Sequence, residues 1–273
     1  MSKIHYQLYS DNNEKPWIML IHGLFGNLDN LSALRRQFTE NYQILSIDLL
    51  DHGQSDFTES FSFKQNAHSI VELITSLNIK KISLVGHSLG GKVAMQLALD
   101  HAELISHLVV LDIAPVKYSP RHNDVFTGLK SISLASLANR KEAEQALSVY
   151  VKEQSTRQFL LKSLYNQDDA WRWRFNLDML DRDYQKLSAA IESDHSYQGP
   201  VLFIKGSLSD YLLLEHRPLV VKLFPNSQSK VIPNTGHWLH AEKPELCAQL
   251  IDSFLQKSSR NLAATFFKTR TLC

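Results

Sequence analysis

The chain predicts an α/β fold, a mostly parallel sheet covered by helices on both sides, with one helical insertion between two of its strands. Three observations carry this. Short apolar runs rich in β-branched residues alternate with longer stretches of helical period. The runs show little polar alternation, as strands buried on both faces do. The rhythm then lapses once, between Pro115 and about Gln198, where helical stretches occur without a convincing strand.

Ile4–Tyr9 and Trp17–Ile21 read as the first two strands, each a compact apolar run. Helix Leu31–Glu40, strand Gln43–Asp48, helix Ser62–Leu77, strand Ile82–Val85, helix Leu89–His101 and strand Leu108–Ile113 come next. Strand, helix, strand in regular succession is the signature of parallel strands joined by crossover helices. Inside the insertion, Arg140–Glu153 and Thr156–Leu164 have helical period, and Trp171-Arg172-Trp173-Arg174-Phe175 concentrates large aromatics. The sheet resumes with strand Val201–Lys205, helix Leu213–Leu223, strand Lys230–Ile232 and helix Pro244–Gln256. The expected organisation is a core of residues 1–114 and 199–258, a helical cap of 115–198, and a C-terminal tail of 259–273. The tail region is basic, and without residues 258–273 the body carries 26 basic and 28 acidic residues, slightly acidic.

A cap rich in large apolar side chains fits a lid over the ligand edge of the sheet. Most of its aromatics are expected to form the cap's own core. The candidates to face a pocket are Leu160, Trp171, Trp173 and Phe175 from the cap, with Phe25 and Trp238 from the core.

Composition narrows the function. At 273 residues, 44% hydrophobic and 21% charged, the chain can bury a substantial core. A net charge of +1 gives no footing for a nucleic-acid binder, whose surface is strongly basic. Two cysteines, Cys247 and Cys273, make neither a disulfide framework nor a metal-ligand spacing. Neither a leader-like N-terminus nor an apolar run of membrane-spanning length is visible, so a cytoplasmic protein without a membrane segment is expected.

The strongest local signal is Gly86-His87-Ser88-Leu89-Gly90-Gly91, after a strand and before a helix. This is G-x-S-x-G in the setting that gives it meaning: a sharp turn lifts the Ser88 hydroxyl clear of the sheet. The following helix N-terminus favours developing negative charge, and the Leu89 N–H becomes one oxyanion donor. The same residues with Lys92 fit G-x-x-x-x-G-K, so a phosphate-binding loop is a rival reading. That reading fails at Val93, where a magnesium-ligating Ser or Thr is needed, and Lys92 is then expected to be a solvated helix residue.

Two distant segments favour nucleophilic chemistry. His22-Gly23-Leu24-Phe25-Gly26-Asn27 ends an early strand and can present the Leu24 N–H to the same oxyanion. Asn234-Thr235-Gly236-His237-Trp238 follows the last strand, where a histidine can accept the Ser88 proton. Among 12 histidines, His237 is singled out by the order Ser…Asp…His, while His240, His22 and His52 read as structural. The acid that orients His237 is either Asp112, at the end of the strand beyond the nucleophile helix, or Asp210, after the penultimate strand. Asp48 leads into Asp51-His52-Gly53-Gln54-Ser55, a structural turn below the site.

The chain resembles the α/β-hydrolase superfamily, and within it the YbfF-type bacterial esterases and their mitochondrial abhydrolase relatives. The pieces that carry the resemblance are His22 to Asn30, Gly86 to Lys92, Asp112-Ile113-Ala114-Pro115-Val116, Gln158 to Ser163, Trp173-Arg174-Phe175-Asn176 and Gly236-His237-Trp238. They span nearly the whole chain before its last 15 or so residues. The resemblance implies an α/β-hydrolase fold and a Ser-His-Asp esterase with the acid at Asp112. Many relatives of the wider fold carry the acid three residues after the glycine that follows the penultimate strand, and here that position is Ser209. The chain departs from the narrower family at Asp210, where proline is expected. The resemblance further implies a small-molecule ester substrate of short-to-medium acyl length, with an acyl-CoA thioester as a variant, and no cofactor or metal. C–C bond hydrolysis uses the same residues, and Asp in place of Ser88 would have implied dehalogenase or epoxide chemistry. A non-catalytic ligand receptor on this fold is the rival of another class.

Overall fold

A computed structural model describes residues 2–10 and 14–269, with no side chain described beyond residue 257. The strands are β1 (Tyr6–Tyr9), β2 (Trp17–Ile21), β3 (Gln43–Ile47), β4 (Ile82–His87), β5 (Ile105–Leu111), β6 (Leu164–Gln167), β7 (Ala170–Trp173), β8 (Val201–Gly206) and β9 (Ser227–Ile232). The helices are α1 (Ser32–Phe38), α2 (Phe63–Ser76), α3 (Leu89–Asp100), α4 (Asn123–Lys130), α5 (Arg140–Tyr150), α6 (Gln154–Leu161), α7 (Leu177–Arg182), α8 (Tyr184–Ser188), α9 (Arg217–Leu223), α10 (Leu239–Glu242) and α11 (Pro244–Thr269).

Seven strands form one sheet in the order β1-β3-β2-β4-β5-β8-β9, with β1 antiparallel and every other pairing parallel. The apolar runs divide between its two faces residue by residue. Met19, Ile21, Leu45, Leu84, Val110 and Phe203 join the core on the side of α2 and α3. Ile18, Leu20, Ile44, Val85, Val109, Leu202 and Ile204 join the core on the side of α1 and α11. Period-two alternation is thus present but invisible to polarity, because both faces are dry.

The carboxyl ends of β2, β4, β5, β8 and β9 meet at one edge, where ligands bind in parallel α/β sheets. Between β5 and β8 the chain leaves the sheet and builds α4 to α8 across that edge. This cap is fastened to the core at several points: Ser163 Oγ donates to the Phe25 carbonyl (3.0 Å), Asn176 Nδ2 to Asp51 (3.0 Å) and Ser60 Oγ to Asp183 (2.8 Å).

The cap corrects one expectation. It contains an antiparallel hairpin, β6–β7, where helices alone were expected. Its two-residue loop is Asp168-Asp169, both at positive φ (51° and 58°), the conformation a tight hairpin turn requires. Asp-Asp is a weak turn signal beside Asn-Gly or Asp-Gly, and strands of four residues carry little pattern. The tail expected over 259–273 lies outside the residues whose side chains are described. Among the described residues, no helix is long and apolar enough to cross a membrane.

Candidate active site

Ser88 occupies the turn between β4 and α3 with φ 52° and ψ −118°, a conformation costing a non-glycine residue about 1–3 kcal/mol. The turn is possible because its neighbours are small. A Cβ on Gly90 would lie 2.3 Å from the His22 carbonyl oxygen, so only glycine lets α3 start against the end of β2. The Ser88 N–H donates to the Leu111 carbonyl (3.0 Å), tying the turn to β5 as well.

His237 lies on the loop between β9 and α10. Its Nδ1 is 2.8 Å from Asp112 Oδ2 and its Nε2 is 3.0 Å from Ser88 Oγ. A carboxylate only accepts, so Nδ1–H donates to Asp112, and the neutral ring leaves Nε2 free to accept the Ser88 hydroxyl proton. The loop is held from several sides. The His87 Nε2–H donates to the His237 carbonyl (2.9 Å), the Thr235 hydroxyl to the Ile232 carbonyl (2.9 Å), and the Gly236 N–H to Glu242 (3.1 Å). The Tyr211 ring stacks on the imidazole, with centroids 4.0 Å apart.

Asp112 follows β5 with φ 52° and is fully buried. Such a carboxylate needs donors. The Gly206 N–H supplies one to Oδ1 (3.0 Å), while the Ser209 hydroxyl joins His237 on Oδ2. The other candidate acid lies elsewhere. The Asp210 side chain is 69% exposed and pairs with Arg121 Nη1 at 2.6 Å. The structure therefore brings Ser88, His237 and Asp112 together and leaves Asp210 out.

Leu24 and Leu89 flank the serine. A Cβ on Gly23 would lie 3.2 Å from Ser88 Cβ, which brings the Leu24 peptide alongside the nucleophile turn. Leu89 opens α3, where N–H groups lack partners within the helix. His22 supports the loop. It accepts the Leu49 N–H at Nε2 (3.0 Å) and donates from Nδ1 to the Gly23 carbonyl (2.8 Å), and burial lowers its pKa. His52 donates from Nδ1 to the Leu50 carbonyl (3.0 Å), and burial lowers its pKa to about 3. Asp48 accepts from the Leu28 N–H (2.7 Å) and the Gln54 N–H (2.9 Å), so the turn through Gly53 is built around it.

Two chambers meet at Ser88. The smaller is walled by Leu89, Lys92 and Ile113 from the core and by Tyr118, Tyr184 and Leu187 from the cap. The larger and better enclosed one is lined by Phe25, Phe159, Leu160, Lys162, His237 and Trp238. Three pocket candidates, Phe25, Leu160 and Trp238, therefore face the site.

The other three aromatics do not, which is a correction. Trp173 and Phe175 are buried and stacked on each other (centroids 5.1 Å apart), bordering a separate surface recess near Phe57 and Leu129. Trp171 lies on the hairpin and lines neither chamber. Phe175, two residues beyond β7, pairs with His52 of the core and sets its ring 5.1 Å from that of Phe25, so it and the stacked Trp173 fill the seam between cap and core instead of the chambers.

Lys92 is a second correction. It is 2% exposed, and its Nζ donates to backbone carbonyls of the cap rather than to solvent. Burial lowers its pKa to about 7. Among the described residues, no three His, Cys, Asp or Glu are grouped to hold a metal ion. Sequence reasoning missed Ser209, Tyr211, Phe159, Tyr118 and the role of His87. None carries a local pattern, and Ser209 alone stood at a marked position, the one where relatives of the fold place the acid.

Comparison with known proteins agrees with the fold. The family described as the alpha/beta hydrolase fold matches residues 16–244. The chain is similar to Esterase YbfF of Escherichia coli strain K12, 34% identical over 90% of this chain and 95% of that protein. It is equally similar to the sn-1-specific diacylglycerol lipase ABHD11 of Mus musculus, 34% identical over 92% of this chain and 85% of that one. A solved marine microorganism esterase superposes with a TM-score of 0.90 at 32% identity, covering 93% of this chain and all of that one.

Proposed function

This chain belongs to the α/β-hydrolase family, and we propose that within it the protein is a serine esterase that cleaves carboxylic esters through an acyl-enzyme. The observation that carries the reading is the unbroken relay from Ser88 Oγ through His237 to the buried Asp112, with links of 3.0 and 2.8 Å. Family membership and relatives named as esterase and lipase support it.

In this reading His237 Nε2 takes the Ser88 proton as Oγ attacks the ester carbonyl. Asp112 stabilises the imidazolium that forms and stays ionised. The Leu24 and Leu89 N–H groups meet the developing oxyanion, where each donor is worth about 10²–10³ in kcat. His237 then gives its proton to the departing alcohol oxygen, and a water reverses the sequence to free the acid. A leaving group protonated by His237 must lie in the chamber that His237 lines, so the larger chamber takes the alcohol and the smaller one the acyl chain. A smaller acyl chamber beside a roomier one suits a short-to-medium acyl group with a bulkier leaving group. The same steps cleave an acyl-CoA thioester, with a thiol leaving.

A fluorophosphonate probe tests the assignment, since it phosphonylates only an activated serine. The expected result is one adduct on the peptide containing Ser88 and loss of p-nitrophenyl ester hydrolysis. Ser88→Ala should escape labelling and lose on the order of 10⁴-fold or more in kcat. An adduct at another serine, or a Ser88→Ala variant with near-parental turnover, overturns the reading.

A further inference from the structure

The serine relay makes no use of the lysine one turn after the nucleophile. Lys92 is carried by the core, on α3, yet every hydrogen bond its ammonium makes runs to the cap. Its Nζ donates to the carbonyls of Val116 (2.9 Å), Ser188 (3.2 Å) and Ala189 (2.5 Å). Val116 lies where the chain departs for the cap, and Ser188 and Ala189 lie where it returns. The two stretches are also joined to each other, by Tyr118 N–H to the Ser188 carbonyl and Ile191 N–H to the Pro115 carbonyl, both 2.9 Å. The ammonium sits at that crossing, with the Tyr118 ring 4.9 Å and the Phe63 ring 5.8 Å from it.

We propose that Lys92 is a positioning residue that clips both ends of the cap to the nucleophile helix and thereby sets acyl-chain selectivity.

The chemistry matches the number of bonds. An ammonium has three donors and no acceptor, and here three carbonyls face it. Lysine brings those donors on a thin, flexible stem, and of the other residue types only arginine carries as many cationic donors to such a place. Burying a cation is costly, and the depressed pKa records that cost, so general stability does not explain the residue. Location does. The cap's contribution to the smaller chamber comes from Tyr118 to His122 on one clipped stretch and from Tyr184 to Ser188 on the other. Holding both stretches against α3 fixes the distance from the Ser88 hydroxyl to the far wall, which is the length available to an acyl chain.

The selectivity part rests on the ester-hydrolase reading, and the test separates the two. Lys92→Met keeps the stem's bulk and removes every donor, while Lys92→Arg keeps cationic donors. Amide hydrogen exchange is followed by mass spectrometry over residues 115–119 and 187–191, with β4 and β5 as internal reference. The ratio of kcat/KM for p-nitrophenyl octanoate to acetate is measured in parallel. In Lys92→Met, exchange in both segments should rise about tenfold while the reference strands stay protected. The octanoate-to-acetate ratio should rise by about tenfold or more, and Lys92→Arg should restore both towards the parent. Should Lys92→Met not fold, Lys92→Leu, shorter and likewise without donors, carries the same expectation. Unchanged exchange in the two segments, an unchanged ratio, or an Arg variant no closer to the parent than Met each overturns the proposal. A parent protein that hydrolyses neither ester defeats the esterase reading instead, and the exchange measurement still decides whether the clip exists.

Discussion

Asp210 gives its carboxylate to Arg121, 2.6 Å away on the first loop of the cap, and not to His237. Arg121 in turn lies over the Tyr211 ring, 4.8 Å from its centroid, and Tyr211 stacks on His237. Asp210 thus reaches the histidine only through two intermediaries, whereas Asp112 touches it directly at 2.8 Å. Asp112→Asn should keep the fold and present His237 in the wrong tautomer, lowering kcat by about 10⁴-fold. Asp210→Asn removes half of an exposed ion pair worth about 0–1 kcal/mol and should change kcat by no more than a few-fold. Turnover of one activated ester by both variants, with circular dichroism on each, decides it. A crippled Asp210→Asn beside a nearly normal Asp112→Asn would place the acid on the other loop.

The aromatics of the cap separate by what they face. Phe159 and Leu160 line the larger chamber, with the Phe159 ring 5.6 Å from that of Trp238. Trp173 and Phe175 are stacked at the seam between cap and core. Phe159→Ala should alter discrimination among leaving groups by about 1–3 kcal/mol, read as kcat/KM across esters of one acid with alcohols of increasing size. Trp173→Ala should leave that profile alone and lower the melting temperature, since deleting a buried Trp costs about 3–5 kcal/mol. A shifted leaving-group profile in Trp173→Ala would mean that the stacked pair communicates with the chamber.

The five inner strands of the sheet were legible because burial on both faces leaves apolar runs with turns between them. Each of its seven strands overlaps a run read from sequence, from Trp17–Ile21 to the edge strand through Lys230. Ser88 and His237 were legible for a different reason: the elbow and the Gly-His loop are local patterns whose chemistry depends on neighbours in sequence. What could not be read depends on distance in sequence. Lys92 looked solvated because the carbonyls that surround it lie 24 to 97 residues away. Trp173 and Phe175 looked like pocket residues because nothing local records that Phe175 pairs with His52, 123 residues away in sequence, rather than facing the site. Ser209 stood where an acid was sought, and its hydroxyl is instead a donor to the acid on β5.

Three buried histidines make the fold sensitive to acid. His52, His107 and His240 are pushed down to about 3, 4 and 3 by burial, from 6.5. Each also has a ring nitrogen without a hydrogen-bond partner among the described residues. Below pH 6.5 the unfolded chain takes up protons that the folded one refuses, so these residues' contribution is full above that pH and is lost as pH falls towards 4. Each proton adds a slope of about 1.4 kcal/mol per pH unit, so the three together cost on the order of a few kcal/mol between pH 7 and 5. Melting temperature should therefore drop across that interval. His107→Phe, which removes one titrating ring from a site beside Phe254, should flatten the drop. A melting temperature equal at pH 7 and pH 5 would contradict this.

The strongest test of the relay is to move its acid. The Ser209 hydroxyl donates to Asp112 Oδ2, the same oxygen that accepts the His237 Nδ1–H. A carboxylate introduced at 209 starts from the same Cβ and extends one atom further, so one of its oxygens can reach the region that Oδ2 occupies. The loop itself is anchored independently of the hydroxyl, by the Leu208 N–H to the Thr235 carbonyl (2.9 Å) and the Ser209 N–H to the Gly206 carbonyl (3.1 Å). Asp112→Asn alone should lose about 10⁴-fold in kcat through the wrong histidine tautomer. Combining Asp112→Asn with Ser209→Asp should restore a proton acceptor to Nδ1 and recover part of that loss, on the order of 10²-fold. The new carboxylate also gains the amide of the substituted 112 side chain as a donor, which lowers the cost of its burial. Ser209→Asp alone should be harmful, because two carboxylates would then compete for one small space. Turnover of a single activated ester across the parent, the two single variants and the double variant measures the coupling between positions 112 and 209. A double variant no faster than Asp112→Asn would mean that only the β5 position can hold His237 in a productive orientation.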